Sequence, residues 1–113
     1  MNIAIVGGRD FSDYNLLKKT ILDSGIEIKQ IISGGASGAD SLACKFAQEF
    51  KIPIIEFIPD WDKYGKSAGY KRNIDIITAA DWVFSFWDYK SKGTKLSIDI
   101  SRQLKKPLEI IKY

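Results

Sequence analysis

The strongest constraint on this chain is a rhythm. Five short, nearly uninterrupted apolar runs, Ile3–Val6, Gln30–Ser33, Pro53–Ile58, Trp82–Trp87 and Leu108–Ile111, alternate with four amphipathic stretches. Runs of this length, rich in Ile, Val, Phe and Trp and without strict alternation, suit strands covered on both faces, as in a parallel sheet. The stretches between them have helical spacing. Leu16, Leu17, Thr20 and Ile21 form one stripe. Leu42, Ala43, Phe46, Ala47 and Phe50 form the second, Tyr70, Ile74, Ile77 and Ala80 the third, and Ile100 and Leu104 with Leu96 or Ser97 a weaker fourth. Ser12 or Asp13 caps the first helix and Gly25 ends it, while Pro53 and Pro107 stop helical continuation before the strands they precede. Strands alternating with helices in this order define a doubly wound α/β fold. Right-handed crossovers place all the turns that follow strands on one edge of the sheet, which is where such folds bind ligands.

Composition removes several functions. The chain of 113 residues fits one domain, residues 1–113, large enough to hold a core without disulfides or metal. Its one cysteine, Cys44, permits no internal disulfide, and there is no histidine. A Cys/His zinc site and any catalytic scheme that needs imidazole are therefore excluded, and no residue set calls for a metal or a resident cofactor. The N-terminal segment lacks a basic region and its apolar run is too short for a signal peptide or membrane span, so a cytoplasmic protein without membrane contact is expected. The net charge of +3 tolerates an anionic ligand but does not mark a nucleic-acid binder.

Four segments on the ligand-binding edge carry the candidate chemistry. After the first strand, Gly7 and Gly8 permit close backbone approach and Arg9 offers a fork that matches phosphate. After the second, Gly34-Gly35-Ala36-Ser37-Gly38-Ala39-Asp40 clears space over a helix N-terminus, whose free N–H groups and partial positive charge hold anions. Ser37 is expected to cap that helix, and Asp40 either to complement its dipole or to accept a hydrogen bond from a ribose hydroxyl. The long connection Pro59–Gly69 supplies Trp61 or Tyr64 for stacking and Lys66 for a phosphate, with Arg72 and Asn73 on the first turns of the next helix. Gly65-Lys66-Ser67 resembles the end of a P-loop, but Trp61 stands where the required upstream glycine belongs, so that assignment fails. After the fourth strand, Asp88 is placed to meet ribose or end the strand, and Gly93-Thr94 opens the last helix opposite the glycine-rich turn. Trp82, Phe84 and Phe86 are assigned to the core.

Taken together, Ile5-Val6-Gly7-Gly8-Arg9-Asp10-Phe11, the Gly34–Asp40 turn, Asp60-Trp61 with Gly65–Gly69 and Arg72-Asn73, and Ser91-Lys92-Gly93-Thr94 resemble the YspA-type, YpsA-related branch of the SLOG superfamily. The resemblance implies a Rossmann-like three-layer α/β/α domain with a five-stranded, mainly parallel sheet of order 3-2-1-4-5. It also implies phosphate and ribose binding by Gly7 to Arg9, Gly34 to Asp40, and Gly93-Thr94. The superfamily includes the LOG phosphoribohydrolases, the DNA-processing protein DprA and sensor domains of antiviral systems. LOG enzymes place acidic residues two and three positions after the threonine of a Gly-Gly-x-Gly-Thr turn. Here those positions are Leu96 and Ser97, and Ser91 and Lys92 replace the first two glycines. Arg72 matches the LOG arginine, but its carboxylate partner is missing.

The leading expectation is a module that binds a nucleotide or nucleotide-derived small molecule, such as an ADP-ribose-like, cyclic or mononucleotide ligand, for sensing or sequestration. The first alternative is a hydrolase or transferase acting on the N-glycosidic or phosphate bond of such a ligand, with Asp40, Asp60, Asp62 or Asp88 as the acid. The second is DprA-like binding of single-stranded nucleic acid, which the small charge disfavours. Homo-oligomerisation is compatible with the sequence, but no stripe identifies an interface.

Overall fold

The computed structural model describes residues 1–113. Five strands, β1 (Asn2–Gly7), β2 (Gln30–Ser33), β3 (Ile54–Glu56), β4 (Trp82–Trp87) and β5 (Leu108–Lys112), form one sheet of order β3-β2-β1-β4-β5. Every neighbouring pair is parallel, so the mainly parallel sheet expected from the apolar runs is parallel throughout. The long helices are α1 (Tyr14–Asp23), α2 (Ala39–Glu49), α4 (Ala68–Ala79) and α5 (Lys92–Gln103), with a single turn, α3 (Trp61–Tyr64), ahead of α4.

Alternation along β1 divides the core. Ile3 and Ile5 point into one layer with Leu17 and Ile21 of α1, Ala43 and Phe46 of α2, and Phe84 and Phe86 of β4. Ala4 and Val6 point into the other with Ile76 and Ile77 of α4, Ile100 of α5 and Val83. The period-2 geometry of a strand buried on both faces requires apolar residues at both parities, which is why β1 and β4 read as continuous runs. The edge strands depart from that expectation. Ile55 of β3 is exposed, and β5 is buried only in part, because an edge strand has one neighbour and less helix over it. Three expected stripe residues, Phe50, Tyr70 and Leu104, also face solvent.

Local signals explain the helix boundaries. The Asp13 carboxylate accepts a hydrogen bond from the Leu16 N–H, so Asp13 rather than Ser12 caps α1. Gly25, at φ +68°, follows its end. Lysine side chains at Lys71 and Lys95 pair with Asp75 and Asp99 one turn on, at 2.6 Å and 3.0 Å, exposed contacts of small energetic value. The connection Pro59–Gly69 is not an irregular loop. Asp60 caps α3 by accepting from the Lys63 N–H at 3.1 Å, and Gly65–Ser67 form a 3₁₀ turn leading into α4. No helix is long and apolar enough to cross a membrane.

The ends of β1 and β4 and the start of α2 are joined through the Gly8 backbone. Its N–H donates to the Phe86 carbonyl at 3.2 Å, and its carbonyl accepts from the Ala39 N–H at 3.2 Å. Gly38 makes that contact with α2 feasible. It sits at φ +71°, ψ −125°, and a Cβ there would overlap the Gly8 carbonyl oxygen and the Arg9 backbone. Gly38→Ala is therefore expected to destabilise the protein by about 2 kcal/mol or more, combining backbone strain with that overlap. Urea unfolding monitored by far-UV circular dichroism measures the loss.

Candidate functional site

The sheet order reverses between β1 and β4, and a crevice opens there at the carboxyl ends of the strands. It is a cleft of about 460 Å³. Its walls come from three of the four predicted segments and the start of α4. Gly7, Gly8 and Arg9 line it after β1, and Gly34, Ala36 and Asp40 after β2. Arg72 and Asn73 enter from α4, and Asp88, Gly93 and Thr94 follow β4. Gly35, Ser37, Gly38, Trp61 and Lys66 lie outside its lining.

Those five have identifiable other positions. Gly38 is the N-cap of α2, so Ser37 does not cap that helix, and it points to solvent instead. Gly35 provides a positive φ of +69° in the turn, with Ile58 and Glu56 beside it. Trp61 is exposed over the start of α4, and Lys66 is exposed on the 3₁₀ turn. Of the residues expected from the Pro59–Gly69 connection and the first turns of α4, only Arg72 and Asn73 thus reach the cleft. Of the four carboxylates considered as acids, Asp40 and Asp88 reach the cleft, whereas Asp60 caps α3 and Asp62 is exposed. The cleft also contains Val6, Asp10, Ile76, Ser91 and Ser97. Asp10 and Ser91 flank predicted motifs and were within reach of the sequence pattern. Val6, Ile76 and Ser97 reach the cleft from positions that look like core or helix interior.

The turn after β2 is built around Asp40 and Arg72. The Asp40 carboxylate accepts from the Ala36 N–H at 3.1 Å. Arg72 donates from Nη1 to the Gly34 carbonyl at 2.9 Å and from Nε to Asn73 Oδ1 at 2.9 Å. A Cβ on Gly34 would meet both the Arg72 guanidinium and the Asp40 carboxylate, so the missing side chain there leaves room for the two charges. The predicted phosphate cradle is therefore partly filled by the chain's own carboxylate. Burial pushes the Asp40 carboxyl above its ordinary range, against the opposing pull of the Ala36 N–H and the Arg72 charge. Burial and the Arg9 charge lower the Arg72 guanidinium from its ordinary value while Asp40 raises it. Two guanidinium groups thus share the lining of one cleft.

The opposite wall differs. The Ser91 hydroxyl caps α5 by accepting from the Thr94 N–H at 3.3 Å, and Thr94 Oγ1 donates to the same oxygen at 3.1 Å. The Lys92 and Gly93 N–H groups precede any intrahelical acceptor. Asp88 accepts from the Ser91 and Lys90 N–H groups at 2.8 Å each, which holds its carboxyl below the ordinary range. A Cβ on Gly93 would meet nothing within 4 Å. Glycine inside a helix costs stability relative to alanine, and packing gives no reason for it here, so its effect is to leave the cleft open above the first turn of α5. No group of three or more Asp, Glu or Cys side chains converges as a metal-ion site. The available interactions are single charges, backbone donors and hydroxyls.

Fold and cleft define a doubly wound α/β domain with a polar crevice at the switch point of its parallel sheet. The chain belongs to the YspA, cpYpsA-related SLOG family, whose model matches residues 1–64. That membership suggests a nucleotide-related ligand-binding role. The matched span includes the turns after β1 and β2 and ends before Arg72 and Gly93. The chain is also similar to the Gene 61 protein of Mycobacterium phage D29, with 35% identity over 71 residues. That alignment covers 58% of this chain, and the chain spans about 57% of the phage protein's length. No solved structure matches it.

Two substitutions separate fold from site. Gly93→Ala is expected to stabilise the free protein by about 0.5–1 kcal/mol through helix propensity, while intruding on the cleft; chemical denaturation reads the first effect. For Asp40, a raised carboxyl means that the folded state holds its proton to higher pH than the unfolded chain does. Stability contributed by this group therefore falls as pH rises through the interval just above the ordinary carboxylate range. Asp40→Asn should be at least as stable as the parent at pH 7, with the difference shrinking toward pH 4, as followed by urea unfolding at both values.

Proposed function

We propose that the protein binds a nucleotide or nucleotide-derived small molecule in the β1–β4 crevice, as a sensor or sequestering module. The observation that carries this reading is that one cleft brings together Arg9, Arg72 and the N-terminal turn of α5. Arg9 and Arg72 line one cleft, so an anion bound there meets two positive charges. Arg9 has no ion pair or side-chain hydrogen bond to the rest of the chain, so the fold supplies no other use for its charge. The amide-rich start of α5 is a second anion-favouring surface in the same cleft. Asp40 and Asp88 retain oxygens that suit hydroxyl donors on a sugar.

Isothermal titration calorimetry against AMP, cyclic AMP, ADP and ADP-ribose tests the proposal. Binding without release of product is expected for at least one of them. Arg9→Ala should weaken that binding about tenfold, in line with loss of one charge-assisted hydrogen bond, while unfolding free energy changes by no more than about 0.5 kcal/mol because the side chain is exposed. Absence of heat and of any thermal shift with all four would overturn the reading.

A second reading, nucleotide hydrolysis, draws on the opposite environments of two cleft carboxylates. Asp40 is pushed toward its protonated form and Asp88 toward its ionised form, the division of labour that an acid and a charge-stabilising partner require. Release of a free base from a nucleoside monophosphate, abolished by Asp40→Asn and by Asp88→Asn, would favour it over simple binding. Intact substrate after prolonged incubation would leave the binding reading alone.

A further inference from the structure

We infer that the cleft recognises the phosphorylated sugar of its ligand and leaves the base outside, so that binding is nearly independent of base identity. This rests on the binding reading above and specifies what that site reads.

Small-molecule pockets that hold flat heterocycles are lined mainly by apolar and aromatic side chains. This one is the reverse. Its only hydrophobic lining residues are Val6, Ala36 and Ile76, and none is aromatic. The aromatic rings around the crevice are engaged elsewhere. Phe11 stacks on Phe86 at 4.9 Å between centroids and packs against Tyr113 at 4.5 Å. The Tyr113 hydroxyl donates to Asp10. Trp87 donates from its indole to the Ser91 carbonyl and packs on Tyr89 at 4.5 Å. Trp61 lies outside the lining.

What the walls do offer matches a sugar phosphate. Arg9, Arg72 and the N-terminal turn of α5 supply positive charge for a phosphate. One oxygen of Asp88 is committed to two backbone amides, and Asp40 accepts from the Ala36 amide with the Ser33 hydroxyl and the Gly34 amide beside it. The second oxygen of Asp88 can accept from a hydroxyl, and both carboxylates, when ionised, would repel a phosphate. Cationic and carboxylate groups in one cleft therefore sort a ligand into an anionic end and a polyhydroxylated end. The lining contains no corresponding platform for a purine or pyrimidine ring.

Calorimetric titration with ribose 5-phosphate, AMP, GMP, CMP, UMP and adenosine tests the inference. The four nucleotides and ribose 5-phosphate should bind within about threefold of one another, and adenosine at least tenfold more weakly. Asp40→Asn should weaken ribose 5-phosphate binding by several-fold while affecting inorganic phosphate much less. One nucleotide binding more than tenfold tighter than the others, or nucleotides binding where ribose 5-phosphate does not, would overturn the inference and leave nucleotide binding intact. Failure of every phosphorylated compound to bind would overturn both.

Discussion

The Gly8 peptide is the contact on which the rest of the structure depends. It binds the end of β4 through its N–H and the start of α2 through its carbonyl. A side chain on Gly8 would overlap the Tyr113 hydroxyl, and one on Gly38 would overlap the Gly8 carbonyl. Three segments distant in sequence meet at one small backbone unit, and the crevice exists because they meet without side chains between them. The glycines that read as ligand-approach positions thus divide by cause. Backbone atoms close off Gly7 and Gly38, the ends of the Tyr113, Arg72 and Asp40 side chains lie against Gly8 and Gly34, and Gly93 faces open space.

That division moves the electrostatic centre of the site. The turn from Gly34 to Asp40 has the composition of an anion cradle, yet its Ala36 N–H is already committed to Asp40 and its Gly34 carbonyl to Arg72. The turn acts as a charged frame, holding a half-buried carboxylate and guanidinium in place. Asp40 is costly to keep ionised in that frame, as its raised carboxyl shows.

Much of this was legible in the sequence. The strands β2 and β4 coincide with their apolar runs, and the order of the sheet is the one that the family resemblance implies. Eleven of the predicted ligand residues line one cleft because each strand–turn–helix unit delivers its turn to the same edge. What stayed hidden depends on side-chain direction and long-range partners. Trp61 and Lys66 have suitable chemistry, but the capping carboxylate of Asp60 winds their segment into short helical turns on the outside. Ser37 has the right residue type for a cap, but the backbone of Gly38 takes that place. Ser97 occupied the position of a LOG acid and is instead a buried hydroxyl that donates to the Gly93 carbonyl at 3.4 Å.

The central claim is that the crevice between β1 and β4 is where this protein meets a phosphorylated ligand. The most direct measurement is a ¹H–¹⁵N correlation spectrum of the protein titrated with AMP. Saturable shifts should concentrate at Arg9, Gly34, Ala36, Asp40, Gly93 and Thr94, with side-chain perturbation of Arg72. Shifts confined to the surface formed by Met1 and Gly25–Lys29, with the crevice amides unmoved, would contradict it.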